Sequence, residues 1–438
     1  MGKKKVARRN DEIKLSINGM PDGEFDIEGL MNSLKVEIRS LAVSAGTVMI
    51  EAIMNSESDQ LAGKRYSRKT DIDRWGTESG YVLLGGQKVR VRRPRLRTKD
   101  KQEVSLTSYE QFQNEGQRTE SVFNRLVAGV SSRNYAKTVE EFGNGYGISK
   151  SVISRKVVEA TAEKLKELCE RDLSKLDVCV LVLDGIHVDE TVQIVALGVE
   201  TSGKKHILGM RQGATENSIV CKELLEDIQT RGLQTDGPML VLLDGAKALR
   251  SAVEETFGDR AIVQRCPVNT YLYVGMAQGA HQLHKRRNVL KYLPKRYHAE
   301  YDRKISTAYG MRLHDDARKE LDSIIRELDR LNESAANSLR EGLEETLTVH
   351  QLKLPDILRK HFSSTNLIES AFSQGVQVMN NVKRWRNSSQ IQRYTATALL
   401  EAEKKFRKIT GFKSMSVLVS ALEEEYRRRT LDTRQIAA

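Results

Sequence analysis

Between positions 29 and 62, Leu34, Ile38, Leu41, Ala45, Val48 and Ala52 recur at three- and four-residue spacing, the period of a helix. The pattern then changes. Tyr81-Val82-Leu83-Leu84, the pair Gly85-Gly86, and an alternation of Val89 and Val91 with Lys88, Arg90 and Arg92 predict a β hairpin whose second strand has one packed face and one cationic face. Pro94 is expected to end that strand or confine it to an edge. From about residue 118 the helical period returns, and Ala136, Val139 and Phe142 form one apolar face. Gly143, Gly145 and Gly147 interrupt it. Ser149 can cap a second helix that buries Val152, Ile153 and Val157 and runs to about Cys169. Helix, glycine-containing turn and capped helix make a helix-turn-helix pattern; an ordinary pair of antiparallel helices fits the same residues.

From 176 onward short apolar runs take over. Val178 to Leu183, Val192 to Val199 and His206 to Met210 read as three strands, with Ser202-Gly203 as a turn. A helix from about Glu216 to Arg231 ends at Gly232. Met239 to Leu243 is a further buried strand, Ala246 to about Phe257 a helix, and Ala261-Ile262-Val263 a fifth strand. Three strands, helix, strand, helix, strand is the order of a ribonuclease-H-like sheet. From 284 to about 350 the period is helical throughout, with Leu321, Ile324, Ile325 and Leu328 on one face. Pro355 closes that stretch, and a long helix begins near Thr365.

Composition narrows the classes. The chain has 438 residues, enough for two to four domains, with 39% hydrophobic and 30% charged residues, as expected of a folded globular protein. No apolar run is long enough for a membrane helix, and Met-Gly-Lys-Lys-Lys leads into no apolar segment, which predicts no secretion. Cys169, Cys179, Cys221 and Cys266 lack CxxC spacing, arguing against a disulfide framework and for a reducing compartment. All eight histidines lie at or beyond His187, so the N-terminal third holds no zinc finger. The net charge of +12 is concentrated: positions 64 to 101 hold 13 Lys or Arg against 4 Asp or Glu. Arg90, Arg92, Arg93, Arg95 and Arg97 read either as a solvated face or, with few acidic partners nearby, as a phosphate-contacting ribbon. Lys150, Ser151, Ser154 and Arg155 would begin the second helix of the helix-turn-helix, where base edges are reached. Lys3, Lys4, Lys5, Arg8 and Arg9 form a basic arm that serves DNA or solubility alone.

Two buried strands end alike, in Leu183-Asp184-Gly185 and Leu243-Asp244-Gly245. A carboxylate is costly to bury after an apolar run, and fits a strand end, where α/β folds build sites. Strand-Asp-Gly is also common turn chemistry. Two such ends in one sheet, with Glu369 in the first turn of a helix capped by Thr365 or Asn366, form a stronger set. His187, Asp189 and Glu190 read as hairpin residues. Trp385, within Lys383-Arg384-Trp385-Arg386-Asn387, suits base stacking or core packing equally. Lys247, Arg250 and Lys383 can face DNA or water.

These residues carry a family resemblance. Leu-Asp-Gly at 183–185, Leu-Gly at 208–209, Asp-Gly-Ala-Lys-Ala-Leu-Arg at 244–250, Gln-Arg-Cys at 264–266, Arg-Asn-Val-Leu at 287–290 and Thr-Asn-Leu-Ile-Glu-Ser at 365–370 follow one another in order. The chain, from about Arg74 to Leu418, resembles the Mutator-type DDE transposases of bacterial insertion sequences. The resemblance implies an α/β fold: a ribonuclease-H-like catalytic core with an inserted all-helical domain, preceded by a basic, helix-turn-helix-containing DNA-binding region. The expected boundaries are 1–112 for the basic region, 113–172 for the helix-turn-helix, 173–265 and 361–412 for the core, 266–360 for the helical insertion and 413–438 for a tail. It implies catalytic Asp184, Asp244 and Glu369 holding Mg²⁺, with Mn²⁺ able to substitute. Hard divalent ions prefer carboxylate oxygens, and two of them serve phosphodiester cleavage and strand transfer. The implied partners are double-stranded DNA, as terminal inverted repeats and target, and further copies of the chain, at least a dimer on DNA. The implied location is the bacterial cytoplasm at the nucleoid, away from membranes.

One departure stands out. The family carries a Cys-x-x-His element after the second catalytic strand, whereas here Cys266-Pro267-Val268 continues into Asn269. Without residues 269 to 283 the chain would read Cys-Pro-Val-His through His284, so those fifteen residues read as an insertion containing the apolar run Tyr271-Leu272-Tyr273-Val274. The expectation is a surface loop, either tolerated or disabling. Two rival functions follow: a catalytically impaired or domesticated transposase that only binds DNA, and another ribonuclease-H-like nuclease such as a junction resolvase. The basic N-terminal third argues against the second.

Overall fold

The computed structural model describes residues 27–65, 71–84, 87–128, 150–213, 217–266, 272–274, 289–380, 382 and 384–436. The chain divides into two compact units, Met1–Gln113 with Glu140–Tyr146, and Asn114–Val139 with Gly147–Ala438.

In the first unit a long helix α1 (Ile27–Ala62) packs on a three-stranded antiparallel sheet of β1 (Ile72–Leu84), β2 (Gln87–Thr98) and β3 (Glu103–Val104), followed by α2 (Thr107–Phe112). Ile50, Met54 and Ala62 of α1 meet Val82, Val89, Val91 and Leu96 of the sheet. Glu57 of α1 accepts the Thr107 N–H at 2.7 Å and the Ser108 N–H at 2.9 Å, placing a carboxylate at the N-terminus of α2. Burial works against its charged form, but the bonds from Ser108 and Thr107 outweigh that and hold the carboxyl below its usual range.

β2 does not end at Pro94; it runs on to Thr98. Pro94 sits opposite Thr77, beside a bulge in β1 between Arg74 and Thr77, where Gly76 takes φ +91°. β3 pairs only from Leu96 onward. The ladder is already interrupted there, so a missing N–H costs little. The alternation also slips by one residue: Val89 and Val91 are buried before the proline, Pro94 and Leu96 from it onward.

In the second unit the central sheet has the order β6-β5-β4-β7-β8, with β9 also paired to β4. The strands are β4 (Val178–Val188), β5 (Thr191–Glu200), β6 (Lys205–Gly213), β7 (Met239–Leu243), β8 (Ala261–Arg265) and β9 (Leu272–Val274). β5 runs antiparallel to both of its neighbours, β4 and β6, while β7 and β9 run parallel to β4, and β8 to β7. Both faces are covered, which is why Val178 to Leu183 of β4 form an unbroken apolar run. Leu181 and Leu183 share a core with α5 (Ser218–Thr230) and α6 (Lys247–Phe257). Val180, Val182 and Ile186 share another with α3 (Glu115–Val127) and α4 (Lys150–Glu170).

The helices between β9 and the C-terminus fall into two groups. α7 (Lys295–Gly310), α8 (His314–Leu331) and α9 (Glu333–Arg340) form a separate apolar cluster, to which α8 gives Leu321, Ile324, Ile325 and Leu328. Short helices α10 (Leu343–Thr346), α11 (Thr348–Gln351) and α12 (Asp356–Phe362) lead back to the sheet. There α13 (Asn366–Asn380), α14 (Ser388–Glu403) and α15 (Met415–Ile436) join the core of Val180 and Val182. Met415, Leu418 and Leu422 of α15 are buried in that core. The glycine turn of the expected helix-turn-helix, like Lys3 to Arg9, Gly85-Gly86 and Lys383, lies outside the described residues. The apolar face of Ala136, Val139 and Phe142 and the Ser149 cap also lie outside the described residues; α4, the expected second helix, buries Ile153 and Val157, and the earlier helix α3 buries Val122 and Leu126, in the core they share with the sheet. The four cysteines form no disulfide. No described helix is long and apolar enough to cross a membrane.

Candidate functional site

The strand ends hold the principal difference from expectation. β7 stops at Leu243, but β4 runs through Asp184 to Val188, so Asp184 lies inside a strand. The parallel ladder between them runs from Val180 opposite Leu240 to Leu183 opposite Leu243. Asp184 and Asp244 follow these last partners, at matching register on adjacent strands, where backbones are roughly 5 Å apart. Past the break β9 takes over the same edge of β4, with Ile186 opposite Leu272 and Val188 opposite Val274. Asp184 and Gly185 therefore occupy the seam where β4 changes partner. The segment expected to be a surface loop contributes this strand to the sheet, because the edge of β4 beyond β7 offers it a ladder.

Both aspartates are buried. Asp184 Oδ1 accepts the Gly185 N–H at 2.9 Å, and Asp244 Oδ1 accepts the Ala246 N–H at 2.9 Å, a local turn that launches α6. Val195, opposite Asp184 on β5, belongs to the core of Val180, Val182 and Ile186, and alternation puts Asp184 on that face. Leu242, two residues before Asp244, lies in the same core. Glu369 is half-buried in the first turn of α13, whose Leu367, Ile368, Ala371 and Phe372 enter that core and which packs on β4 and β9. The cap position falls to Thr365, whose carbonyl accepts the Ile368 N–H at 2.9 Å. Three carboxylates, the hard oxygen donors that suit Mg²⁺, are thus carried by elements on one side of the sheet. Among the described residues no three His, Cys, Asp or Glu side chains are gathered closely enough to hold an ion.

His187 alternates onto the opposite face with Leu181 and Leu183, and burial lowers its pKa. Asp189, at φ +55°, and Glu190 form the β4–β5 turn. Trp385 packs against the core, its ring edge-on to Tyr394 at 5.8 Å. Cys266 is buried, and its N–H donates to the Leu243 carbonyl at 2.7 Å; His284 lies outside the described residues.

Sequence reasoning noted Gln264-Arg265 without giving it work. Gln264 Nε2 donates to the Thr346 carbonyl at 3.0 Å, and its Oε1 accepts the Val349 N–H at 2.9 Å. Arg265 pairs with Glu345 at 3.2 Å, and Arg250 reaches the same carboxylate at 2.7 Å. These contacts clip α10 and α11 to the end of β8, beside the strand that carries Asp244. The available signal was a buried amide in an otherwise apolar strand. Arg250 is thereby structural, while Lys247 is exposed.

The arginines of β2 divide. The side chains of Arg90 and Arg92 are exposed and form no ion pair among the described residues, while the Arg92 backbone N–H donates to the Glu51 carboxylate at 2.8 Å. Arg93 and Arg95 do have acidic partners: Arg93 lies 3.2 Å from Glu78, and Arg95 lies 3.0 Å from Glu103. Glu78 lies on β1, the hairpin partner that the sequence pattern predicted, outside its Tyr81–Leu84 run; Glu103 lies on β3, which the pattern did not pair with β2. Arg97 lies over the Trp75 ring at 4.7 Å. On α4, in the other unit, Ser151, Ser154 and Arg155 are exposed; the Lys150 side chain is not among those described.

Comparison with known proteins points the same way. The chain is 29% identical over 252 residues to the transposase for insertion sequence element IS6120 of Mycolicibacterium smegmatis, covering 56% of this chain and 72% of that one. It is 27% identical over 337 residues to the transposase for ISRM5 of Rhizobium meliloti, covering 74% and 77%. With the transposase for IS256 in transposon Tn4001 of Staphylococcus aureus the identity is 26% over 340 residues, covering 74% and 80%. The sequence profile of the Mutator transposase family matches residues 31–409, most of the chain. The chain belongs to the Mutator family of transposases.

Proposed function

We propose that this chain is the transposase of an insertion sequence, binding the terminal inverted repeats of its element and catalysing DNA cleavage and strand transfer from a ribonuclease-H-like core. The observation that carries the reading is the matched register of Asp184 and Asp244 on parallel neighbours β4 and β7. The strand order β6-β5-β4-β7-β8, antiparallel then parallel, supports the core assignment. Asp184 and Asp244 would hold Mg²⁺ or Mn²⁺, with Glu369 brought in from α13. When bound, such ions stabilise the attacking and leaving oxygens of an in-line displacement. In cleavage, a water oxygen bonds to phosphorus, the P–O3′ bond breaks, and the 3′ oxygen takes up a proton. In transfer, that 3′-hydroxyl attacks a target phosphorus, gives up its proton, and a target P–O3′ bond breaks. The chain's contribution is to hold two carboxylates at a rigid sheet seam. Arg90 and Arg92, with Ser151 and Arg155, provide surfaces for duplex DNA.

The test is end cleavage by the purified chain on duplexes carrying the ends of its element, with Mg²⁺. Asp184→Asn, Asp244→Asn and Glu369→Gln are each expected to bind DNA but not cut it. Full cleavage by Asp184→Asn would overturn the assignment. The reading of a chain that binds without cutting draws no support from relatives that are named as transposases.

A further inference from the structure

Between α14 and α15, the ten residues from Lys404 to Lys413 include five Lys or Arg and no Asp or Glu. Lys404 pairs with Glu401. Lys405, Arg407, Lys408 and Lys413 are exposed and form no ion pair among the described residues. The fold holds this stretch in place. Ile409 is buried in the core of Val180 and Val182, and its N–H donates to the Gly203 carbonyl at 2.9 Å. Gly203, in the β5–β6 turn at φ +79°, lies so close to Phe412 that a Cβ at 203 would collide with it. Lys205 Nζ lies over the Phe406 ring at 4.9 Å, and Lys408 Nζ over the Phe412 ring at 4.8 Å, so two aromatic platforms fix two ammonium groups. Lys204 on the same turn and Lys360 on α12 add exposed charge. The Lys205 charge reaches His361, next to Lys360, where burial first and that charge second push the imidazole pKa down.

Glu200, Glu401, Glu403 and Asp356, on the elements packed around this cluster, are engaged with His206, Lys404, Arg171 and Arg359. Like charges held together without counter-charges repel one another, and a ligand anion relieves that repulsion. An acidic peptide would call for open apolar pockets between the cations. Here both rings lie under lysines, which favours phosphate.

The sheet register locates the cluster. Lys205 stands opposite Val199, and Val199 opposite Val180, four residues before Asp184. At about 3.3 Å per residue and 4.8 Å per strand, Lys205 is roughly 13 Å along the strands from Asp184 and roughly 10 Å across them. Ile409 and Met415 enter the core on the Asp184 side of the sheet. The diagonal, about 16 Å, equals the rise of about five base pairs at 3.4 Å each.

We propose that Lys405, Arg407, Lys408 and Lys413, with Lys204 and Lys205, hold the phosphate backbone of duplex DNA, beginning about five base pairs from the phosphate held at Asp184 and Asp244. Lysine contacts to phosphate position a duplex without reading its sequence. The inference rests on the reading of the chain as a DNA-cutting transposase, and adds a surface to those of β2 and α4.

The test is DNA binding by the full-length chain at several salt concentrations, without divalent metal so that nothing is cut. Replacing Lys405, Arg407, Lys408 and Lys413 together by Ala should flatten the slope of log affinity against log salt by about 2–4 on a duplex of unrelated sequence, at about 0.9 per lost contact. A second duplex carrying the ends of the element distinguishes the source. Equal flattening there places the element's own DNA on the surface, and an unchanged slope there places target DNA on it. Replacing exposed Arg312, Lys319, Arg326 and Arg330 by Ala removes the same charge elsewhere and should leave both slopes near the original. Melting temperatures should match, because the replaced side chains are exposed. If the fourfold variant unfolds, Lys405→Ala with Lys413→Ala and Arg407→Ala with Lys408→Ala serve instead, each with about half the effect. Slopes unchanged on both duplexes, or flattened as much by the control set, overturn the proposal. Failure of the unchanged chain to cut its ends with Mg²⁺ would overturn the proposed function instead, and the binding slopes are measured independently of it.

Discussion

Asp184 and Asp244 follow the last paired residues of two parallel strands, Leu183 and Leu243, so one register fixes both. Neither needs a long loop to reach the other. If they act together on DNA, Asp184→Asn and Asp244→Asn should each lower end cleavage at least about 100-fold. Affinity for the ends should stay within about twofold of the original. Gel-shift and single-turnover cleavage assays on the same preparations check this. A variant that loses binding and cleavage in parallel would point to misfolding instead.

The split among the β2 arginines predicts unequal salt effects. Arg90→Ala and Arg92→Ala should each reduce the slope of log affinity against log salt by about 0.9, the value of one lost phosphate contact. Arg93→Ala and Arg95→Ala remove partners of Glu78 and Glu103. They should change the slope less and lower the melting temperature of the chain slightly, since these solvent-exposed pairs are screened by water and salt. Titrations at several salt concentrations separate the two classes; equal slopes for all four variants would contradict it.

Leu272–Val274 is a strand, so removing its segment should cost stability. Deleting Asn269 to Leu283 takes away the ladder at Ile186 to Val188, just past Asp184. Thermal unfolding of the deletion variant should begin earlier than that of the intact chain. Tyr273→Pro, which places a ring without an N–H in the middle of the strand, should destabilise by roughly 1–3 kcal/mol. Identical melting of all three proteins would mean the pairing contributes nothing.

Glu403, at the end of α14, gives a pH signature. It accepts Arg171 Nη1 at 2.8 Å and the Ile207 N–H at 2.9 Å. Burial alone would raise its pKa, but contacts with His206, Arg171 and Ile207 outweigh that and lower it. A carboxyl lowered in the folded state stabilises fully above its unfolded pKa, and the benefit fades as pH falls through the folded value. Glu403→Gln should therefore cost roughly 1–3 kcal/mol at pH 7. The gap to the original chain should narrow as the pH drops below the ordinary carboxylate range. Denaturant unfolding at neutral and acid pH measures it; a constant gap would exclude a role for the charge.

Much of the architecture was legible because local periods report local structure. The apolar runs around Val180, Leu197 and Leu242, the Ser202-Gly203 turn and the α8 face of Leu321 to Leu328 are set by residues close in sequence. So were the aspartates, since a charge after an apolar run stands out wherever the strand lies. Partner choice was not legible. That β4 continues past Asp184, that Leu272–Val274 joins it, and that Arg93 and Arg95 meet Glu78 and Glu103 depend on which edges and cross-strand neighbours come together. In α1 the period identified a helix correctly, yet Leu41, Ala45, Val48 and Ala52 of the row it picked out are exposed. A helix with two apolar faces shows the same spacing on either, and packing against the β1–β2 hairpin chose Ile50 and Met54 for the inside.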